Sequence, residues 1–142
     1  MSRIPVTILG ATGVVGQRFV RRLANHPLFQ IAHLTASARS AGKHYQDACE
    51  WRLDGEPFAG LGACILETSD PGAAFAPVVF SALDTDIARE LEPAYARAGA
   101  LVFSNAAAFR MEPDVPLLVP EVNPEHLGLL EGQRKTRGWS GG

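Results

Sequence analysis

Cysteine is scarce in this sequence. Cys49 and Cys64 are the only two in a chain of 142 residues, which excludes a disulfide-stapled scaffold and a cysteine-rich metal cluster. No metal site is expected. The histidines, His26, His33, His44 and His126, are scattered, with no partner at a spacing that suggests a catalytic dyad. An excess of one charge is also lacking. Thirteen Lys and Arg face 15 Asp and Glu, a net charge of −2, so nothing in the balance favours nucleic acid or an anionic membrane as partner. No apolar run approaches the roughly 20 residues that span a bilayer. The opening stretch MSRIPVTILGATG has one positive charge and a short apolar run that leads straight into a glycine turn. A secretory signal needs a longer apolar region and a small-residue cleavage site, so the run reads as a strand and the cytoplasm is the expected location.

What is present is an ordinary globular composition, 46% hydrophobic and 20% charged, in a length that suits one domain. Short apolar runs alternate with longer amphipathic ones, the pattern of βαβ units around a parallel sheet. Strands are expected at Ile4–Leu9, Gln30–Ala36, Ala63–Glu67, Pro77–Ala82 and Ala100–Ser104, with a short extended piece at Pro116–Val119. Helices are expected at Val14–Asn25, with Val15, Phe19 and Leu23 on its apolar face, and at Asp86–Ala98, capped by Asp84 or Thr85. A short helix is expected through Tyr45–Arg52, and a last one beginning at Pro124 and running to Arg137. The predicted fold is α/β, a Rossmann-type doubly wound, mostly parallel sheet with helices on both faces.

The segment Gly10-Ala-Thr-Gly13-Val-Val-Gly16 lies between a predicted strand and a predicted helix, the context that makes such a motif a dinucleotide site. Gly10 permits the tight turn, Gly13 lets backbone approach a pyrophosphate, and Gly16 allows close helix–sheet packing. The free N–H groups at the helix start, and the helix dipole, favour an anion there. A bare strand–turn–helix corner is the competing reading. The second strand runs into Ser37-Ala-Arg39-Ser40-Ala-Gly42-Lys43, with no acid to hold a ribose 2′-hydroxyl. Two hydroxyls and a guanidinium suit a 2′-phosphate instead, so NADP is expected over NAD.

Three segments, GATGVVGQRFV, ASARSAGKHYQDA and FSNAAAFRMEPDVPLLVPEVN, together resemble the aspartate-semialdehyde dehydrogenases, over about Ile4 to Trp139. That resemblance implies NADPH-dependent reduction of L-aspartyl 4-phosphate to L-aspartate 4-semialdehyde with release of phosphate, in lysine, methionine and threonine synthesis. It implies that Gly10, Thr12, Gly13 and Val14 line the pyrophosphate and that Ser37, Arg39 and Ser40 hold the 2′-phosphate. Ser81, Ala82 and Leu83 would lie along the cofactor, Asn105 near the nicotinamide, and Arg110 on the phosphate of the acyl phosphate. A planar guanidinium suits a phosphoryl group, although Arg110 could instead pair with Glu112 or Asp114 on the surface. Glu121 and Asn123 fall in the family's PEVN segment, where a turn before the helix accounts for them equally well.

The resemblance also shows what is missing. The family's nucleophilic cysteine stands in an Asn-Cys-x-Thr setting on a later strand, and a second domain supplies the acid–base histidine, the carboxylate-binding arginine and most of the homo-oligomer interface. The chain ends at Gly142, where that strand is expected to begin, and is either a fragment or a short product. Residues 1–142 are accordingly expected to form a single NAD(P)-binding domain without catalytic residues, inactive alone. Neither Cys49 nor Cys64 lies in a motif that would activate a thiolate. The alternatives are a domain of a sister reductase, for N-acetyl-glutamyl phosphate or malonyl-CoA, or a stand-alone NADP-binding module.

Overall fold

A computed structural model describes residues 2–142. Five parallel strands form one sheet, β1 (Ile4–Leu9), β2 (Phe29–Ala36), β3 (Glu67–Thr68), β4 (Val78–Ser81) and β5 (Leu101–Ser104), in the order β3-β2-β1-β4-β5. Helix α1 (Val14–Leu23) follows β1, a single turn α2 (Tyr45–Ala48) follows β2, and α3 (Thr85–Arg97) joins β4 to β5. A 3-10 turn at Pro124–Gly128 leads into α4 (Leu129–Arg137).

The central strand explains the two layers. Side chains alternate across a strand, so Val6 and Ile8 enter one core with Val20 and Leu23 of α1 and Leu34 of β2. Leu9 enters the other with Val79, Tyr95 of α3 and Ala100. Both faces of the sheet are thus covered by helix, the doubly wound α/β architecture expected, and every strand pair is parallel. Among the described residues no helix is long and apolar enough to cross a membrane.

Several elements depart from expectation, each for a local reason. The run Ala63–Glu67 does not form the third strand. Residues 64–66 instead run antiparallel to 43–45, Leu66 donating to the Lys43 carbonyl and Tyr45 to that of Cys64, and only Glu67–Thr68 joins the sheet. The helix expected through Arg52 stops at Ala48, because the Gln17 side chain takes up the Glu50 carbonyl and the Arg52 N–H, holding that stretch against α1. Pro116–Val119 forms no strand; Asn123 holds it as a loop, accepting from Val119 N–H and donating to the Leu117 carbonyl. Asp84 occupies the N-cap of α3 without a side-chain hydrogen bond, and α3 continues through Pro93. The buried stripe of α1 is Gly16, Gln17, Val20 and Leu23, whereas Val15 and Phe19 are half-buried.

Gly16 decides how closely α1 approaches the sheet. A Cβ there would lie 2.0 Å from the Gly10 carbonyl oxygen and 2.8 Å from the Ala11 Cα, both backbone atoms. Gly132, exposed on α4, has nothing within 4 Å of its Cβ position. We expect Gly16→Ala to cost about 1–3 kcal/mol or more by overpacking. Gly132→Ala should add about 0.5–1 kcal/mol by restricting the unfolded chain. Urea denaturation of the two variants measures the contrast, and equal midpoints would refute the packing role of Gly16.

Candidate nucleotide-binding site

In a parallel sheet the loops that leave the carboxyl ends of the strands share one edge, and a crevice opens where the strand order reverses. Here the order turns between β1 and β4. Three backbone bonds extend the ladder into the loops at that edge: Ala82 N–H to the Leu9 carbonyl, Ala11 N–H to that of Thr35, and Asn105 N–H to that of Ser81. The glycine loop, the 37–43 turn, Ala82–Leu83 and Asn105, singled out from sequence, therefore all leave this edge.

The three glycines of the loop have different environments. Gly10 adopts φ +75°, and a Cβ on it would lie 2.8 Å from the Ala82 carbonyl oxygen, so the turn beside β4 has no room for a side chain. Gly16 is closed off by Gly10 and Ala11, as described above. Gly13 differs: its φ of −75° suits any residue, and its Cβ position has nothing nearer than 3.8 Å. The protein's own packing gives no reason for glycine at 13, which leaves an open approach to backbone. Gly13 is also the N-cap of α1 and offers no side-chain cap, and no acidic residue occupies the first turn. The orphan N–H groups there, Val14 N–H among them, remain available to an anion.

Thr12 is half-buried and Val14 exposed at the crevice mouth. Ser37 and Arg39 are exposed in the turn after β2, and Ser40 is half-buried, its N–H closing that turn on the Ser37 carbonyl. Among the described residues no carboxylate pairs with Arg39. Ser81, at the end of β4, is fully buried, and Ala82 and Leu83 after it are half-buried. Cys49 is half-buried and burial pushes its thiol above the ordinary range; Cys64 is exposed beside β3, two strands away from β1.

Arg110 sits in the turn after β5, exposed, and the carboxylates that could have neutralised it are engaged elsewhere. Arg137 of α4 grips Asp114 with two hydrogen bonds of 2.5 Å, approaches Glu112 at 3.5 Å, and lies over the Trp139 ring at 5.0 Å. The pairing of Arg110 with Glu112 or Asp114 is thus not what the fold adopts. Arg110 instead borders an apolar groove of about 470 Å³ between β5 and α4, lined by Phe103, Phe109, Leu118 and Leu130. This groove lies on the β5 side and shares no residue with the glycine loop or the 37–43 turn. Apart from Glu92, Ser104, Arg110 and Gln133 its lining is apolar, so the crevice is the better candidate for a dinucleotide.

Three side chains at this edge were not anticipated. Gln17, buried in α1, donates to the Thr12 and Glu50 carbonyls and accepts from Arg52 N–H. Tyr45, fully buried, donates to the Ala11 carbonyl at 2.6 Å. Glu92, buried in α3, takes the Ser104 hydroxyl at 2.5 Å, and that hydroxyl accepts from Ala106 N–H, which fixes the end of β5 beside Asn105. The apolar face expected from Val15, Phe19 and Leu23 leaves Gln17 off the core side, so helical periodicity gave no signal for it.

The hydrogen bonds from Arg137 hold the Asp114 carboxyl below the ordinary carboxylate range. A folded pKa lowered in this way stabilises the protein above the unfolded value and is lost as pH falls through the folded one. Asp114→Asn should therefore cost about 1–2 kcal/mol near neutrality and almost nothing at acid pH. Denaturation midpoints across the range below about pH 4 measure this, and a constant difference at every pH would exclude the ionic contribution.

Comparison with known proteins agrees with this geometry. Residues 5–130 match the family described as semialdehyde dehydrogenase, NAD binding domain. The aspartate-semialdehyde dehydrogenase of Archaeoglobus fulgidus is 51% identical over 139 residues, 98% of this chain and 40% of that protein. The enzyme of the same name from Methanothermobacter thermautotrophicus is 49% identical over 139 residues, 97% of this chain and 40% of that one. The crystal structure of aspartate-semialdehyde dehydrogenase with NADP from Candida albicans superimposes with a TM-score of 0.87 at 44% identity, over 95% of this chain and 38% of that one. The chain thus spans about 40% of the length of these relatives. The likeness read from the glycine loop and the SNAAAFRMEP segment holds, and the chain belongs to the semialdehyde dehydrogenase family, in the part described as its NAD-binding domain.

Proposed function

We propose that the chain binds NADP in the crevice between β1 and β4 and is the nucleotide-binding domain of an aspartate-semialdehyde dehydrogenase. That enzyme reduces L-aspartyl 4-phosphate with NADPH to L-aspartate 4-semialdehyde and phosphate, in the supply of lysine, methionine and threonine. The observation that carries the reading is Gly13: a glycine at an uncapped helix start, with no internal reason to be one, where backbone can meet a pyrophosphate. The identities of 51% and 49% to proteins bearing the enzyme's name support the activity.

In this reading Gly10, Thr12, Gly13 and Val14 surround the pyrophosphate. Ser37, Arg39 and Ser40 hold the 2′-phosphate, since the turn after β2 carries a free guanidinium and hydroxyls and no acid. Ala82 and Leu83 lie along the dinucleotide above Ser81, and Asn105 stands near the nicotinamide. Arg110, released by the Arg137–Asp114 pair, takes the phosphate of the acyl phosphate. The bound dinucleotide supplies the hydride. Residues 1–142 form one nucleotide-binding domain, and the thiolate, the acid–base partner and the oligomer interface belong to a portion that the longer relatives carry. Cys64 stands at the far edge of the sheet and burial raises the Cys49 thiol above its ordinary range, so in this reading the chain alone binds nucleotide without turning it over.

Two substitutions test the reading. Gly13→Val places a branched side chain where backbone must approach phosphate, yet the fold tolerates it. It should abolish NADP binding in a titration calorimeter while the circular dichroism spectrum and melting temperature stay unchanged. Arg39→Ala removes a charge-assisted bond of about 1.5–3 kcal/mol, so NADP should bind roughly tenfold to a hundredfold more weakly. NAD, lacking the 2′-phosphate, should be little affected, and an equal loss for both nucleotides would place Arg39 on some other group.

A further inference from the structure

We infer that Tyr45 and Gln17 are positioning residues of the glycine loop: by holding its carbonyls inward they turn the loop's amide toward the phosphate. The inference rests on the nucleotide reading above and names side chains that no glycine motif contains.

A peptide unit is planar and trans, so its C=O and N–H point in opposite directions. The Ala11 carbonyl accepts the Tyr45 hydroxyl at 2.6 Å, which directs the Thr12 N–H of the same unit away from the core. That N–H has no protein partner among the described residues. The next carbonyl, of Thr12, accepts the Gln17 side-chain amide at 3.0 Å. Two successive carbonyls are therefore tied down on the inner side of the loop, where otherwise either could rotate toward the crevice and oppose an anion with its negative end. Neither tie is a flexible surface contact. Tyr45 is fully buried and wedged edge-on against Trp51 and Phe58 at ring separations of 6.5 and 5.0 Å. Gln17 is 1% exposed and spends its remaining amide groups on Glu50 and Arg52. Burial, with a smaller effect from Cys49, raises the Tyr45 phenol above its ordinary range, so it remains a donor near neutral pH. A buried hydroxyl donor and a buried amide with all its partners made fix the loop before any ligand arrives. Such preorganisation removes an ordering cost from binding.

Tyr45→Phe deletes the donor and keeps the aromatic packing, and two ligands separate its effects. NADP carries the pyrophosphate; 2′-AMP has the adenosine and the 2′-phosphate but no pyrophosphate. By calorimetry on the full chain, Tyr45→Phe should weaken NADP about three- to tenfold, the loss of one net hydrogen bond's worth of loop order, and leave 2′-AMP unchanged. Arg39→Ala should weaken both. Equal weakening of NADP and 2′-AMP by Tyr45→Phe, or a lower melting temperature with both affinities intact, would overturn the inference and leave Tyr45 a packing residue. A second arm needs no nucleotide. In the ligand-free chain the carbonyl carbon of Ala11 and the amide of Thr12 should shift in heteronuclear NMR spectra of Tyr45→Phe, and unchanged resonances would also overturn it. Failure of the parent chain to bind either nucleotide would count against the nucleotide reading itself, while the NMR arm still decides whether Tyr45 orients the loop.

Discussion

The closeness of α1 to the end of β1 is the constraint on which the rest of the structure depends. With hydrogen alone at Gly16, the first turn of the helix rests on the Gly10 carbonyl, at a separation that no side chain survives. That contact sets where the helix start points and brings Gln17, the next residue, into the core rather than beside it. Gln17 then reaches forward to the loop and sideways to 50–52, so a single close approach governs the helix start, the loop carbonyls and the path of a distant segment. The long stretch between β2 and β3 follows from this. Its short α2, its aromatic cluster of Tyr45, Trp51 and Phe58, and its antiparallel return through 64–66 form a buttress behind the glycine loop.

Much of this frame was legible from residues in order. β1 and β5 are short apolar runs ended by turn residues, and α1 and α3 are amphipathic runs of helical period, so their pattern and their flanks agree. The roles of Gly10 and Gly16 were legible too, because a strand–glycine–helix junction makes steric demands that glycine alone meets. What could not be read was set by partners distant in sequence. The run from Ala63 to Glu67 has the composition of a parallel strand, yet backbone groups of 43–45 capture most of it first. Gln17 and Tyr45 carry no motif, since their function at the loop comes from contacts with residues five and 34 positions away. Periodicity reports which side of an element is buried, not what a buried polar group holds there.

The same non-local logic settles the charges around the turn after β5. Within Phe109-Arg110-Met-Glu112-Pro-Asp114 one cation stands beside two anions, and local spacing suggests that they neutralise one another. A second guanidinium, 23 residues beyond Asp114, changes that outcome. Arg137 meets the Asp114 carboxylate with two parallel bonds and stacks on Trp139, and each side chain is less than a quarter exposed. A partly desolvated bidentate pair outweighs a single flexible contact at the surface. Gln133 adds a bond to the Asp114 carbonyl, so α4 holds the turn by backbone as well as by charge. Arg110 is thereby left without a carboxylate partner among the described residues, in the turn after β5. An arginine kept free by a rival arginine is a stronger candidate for an anion than one that merely lies near a motif. Here the fold provides that condition through a helix whose own sequence gives no hint of it.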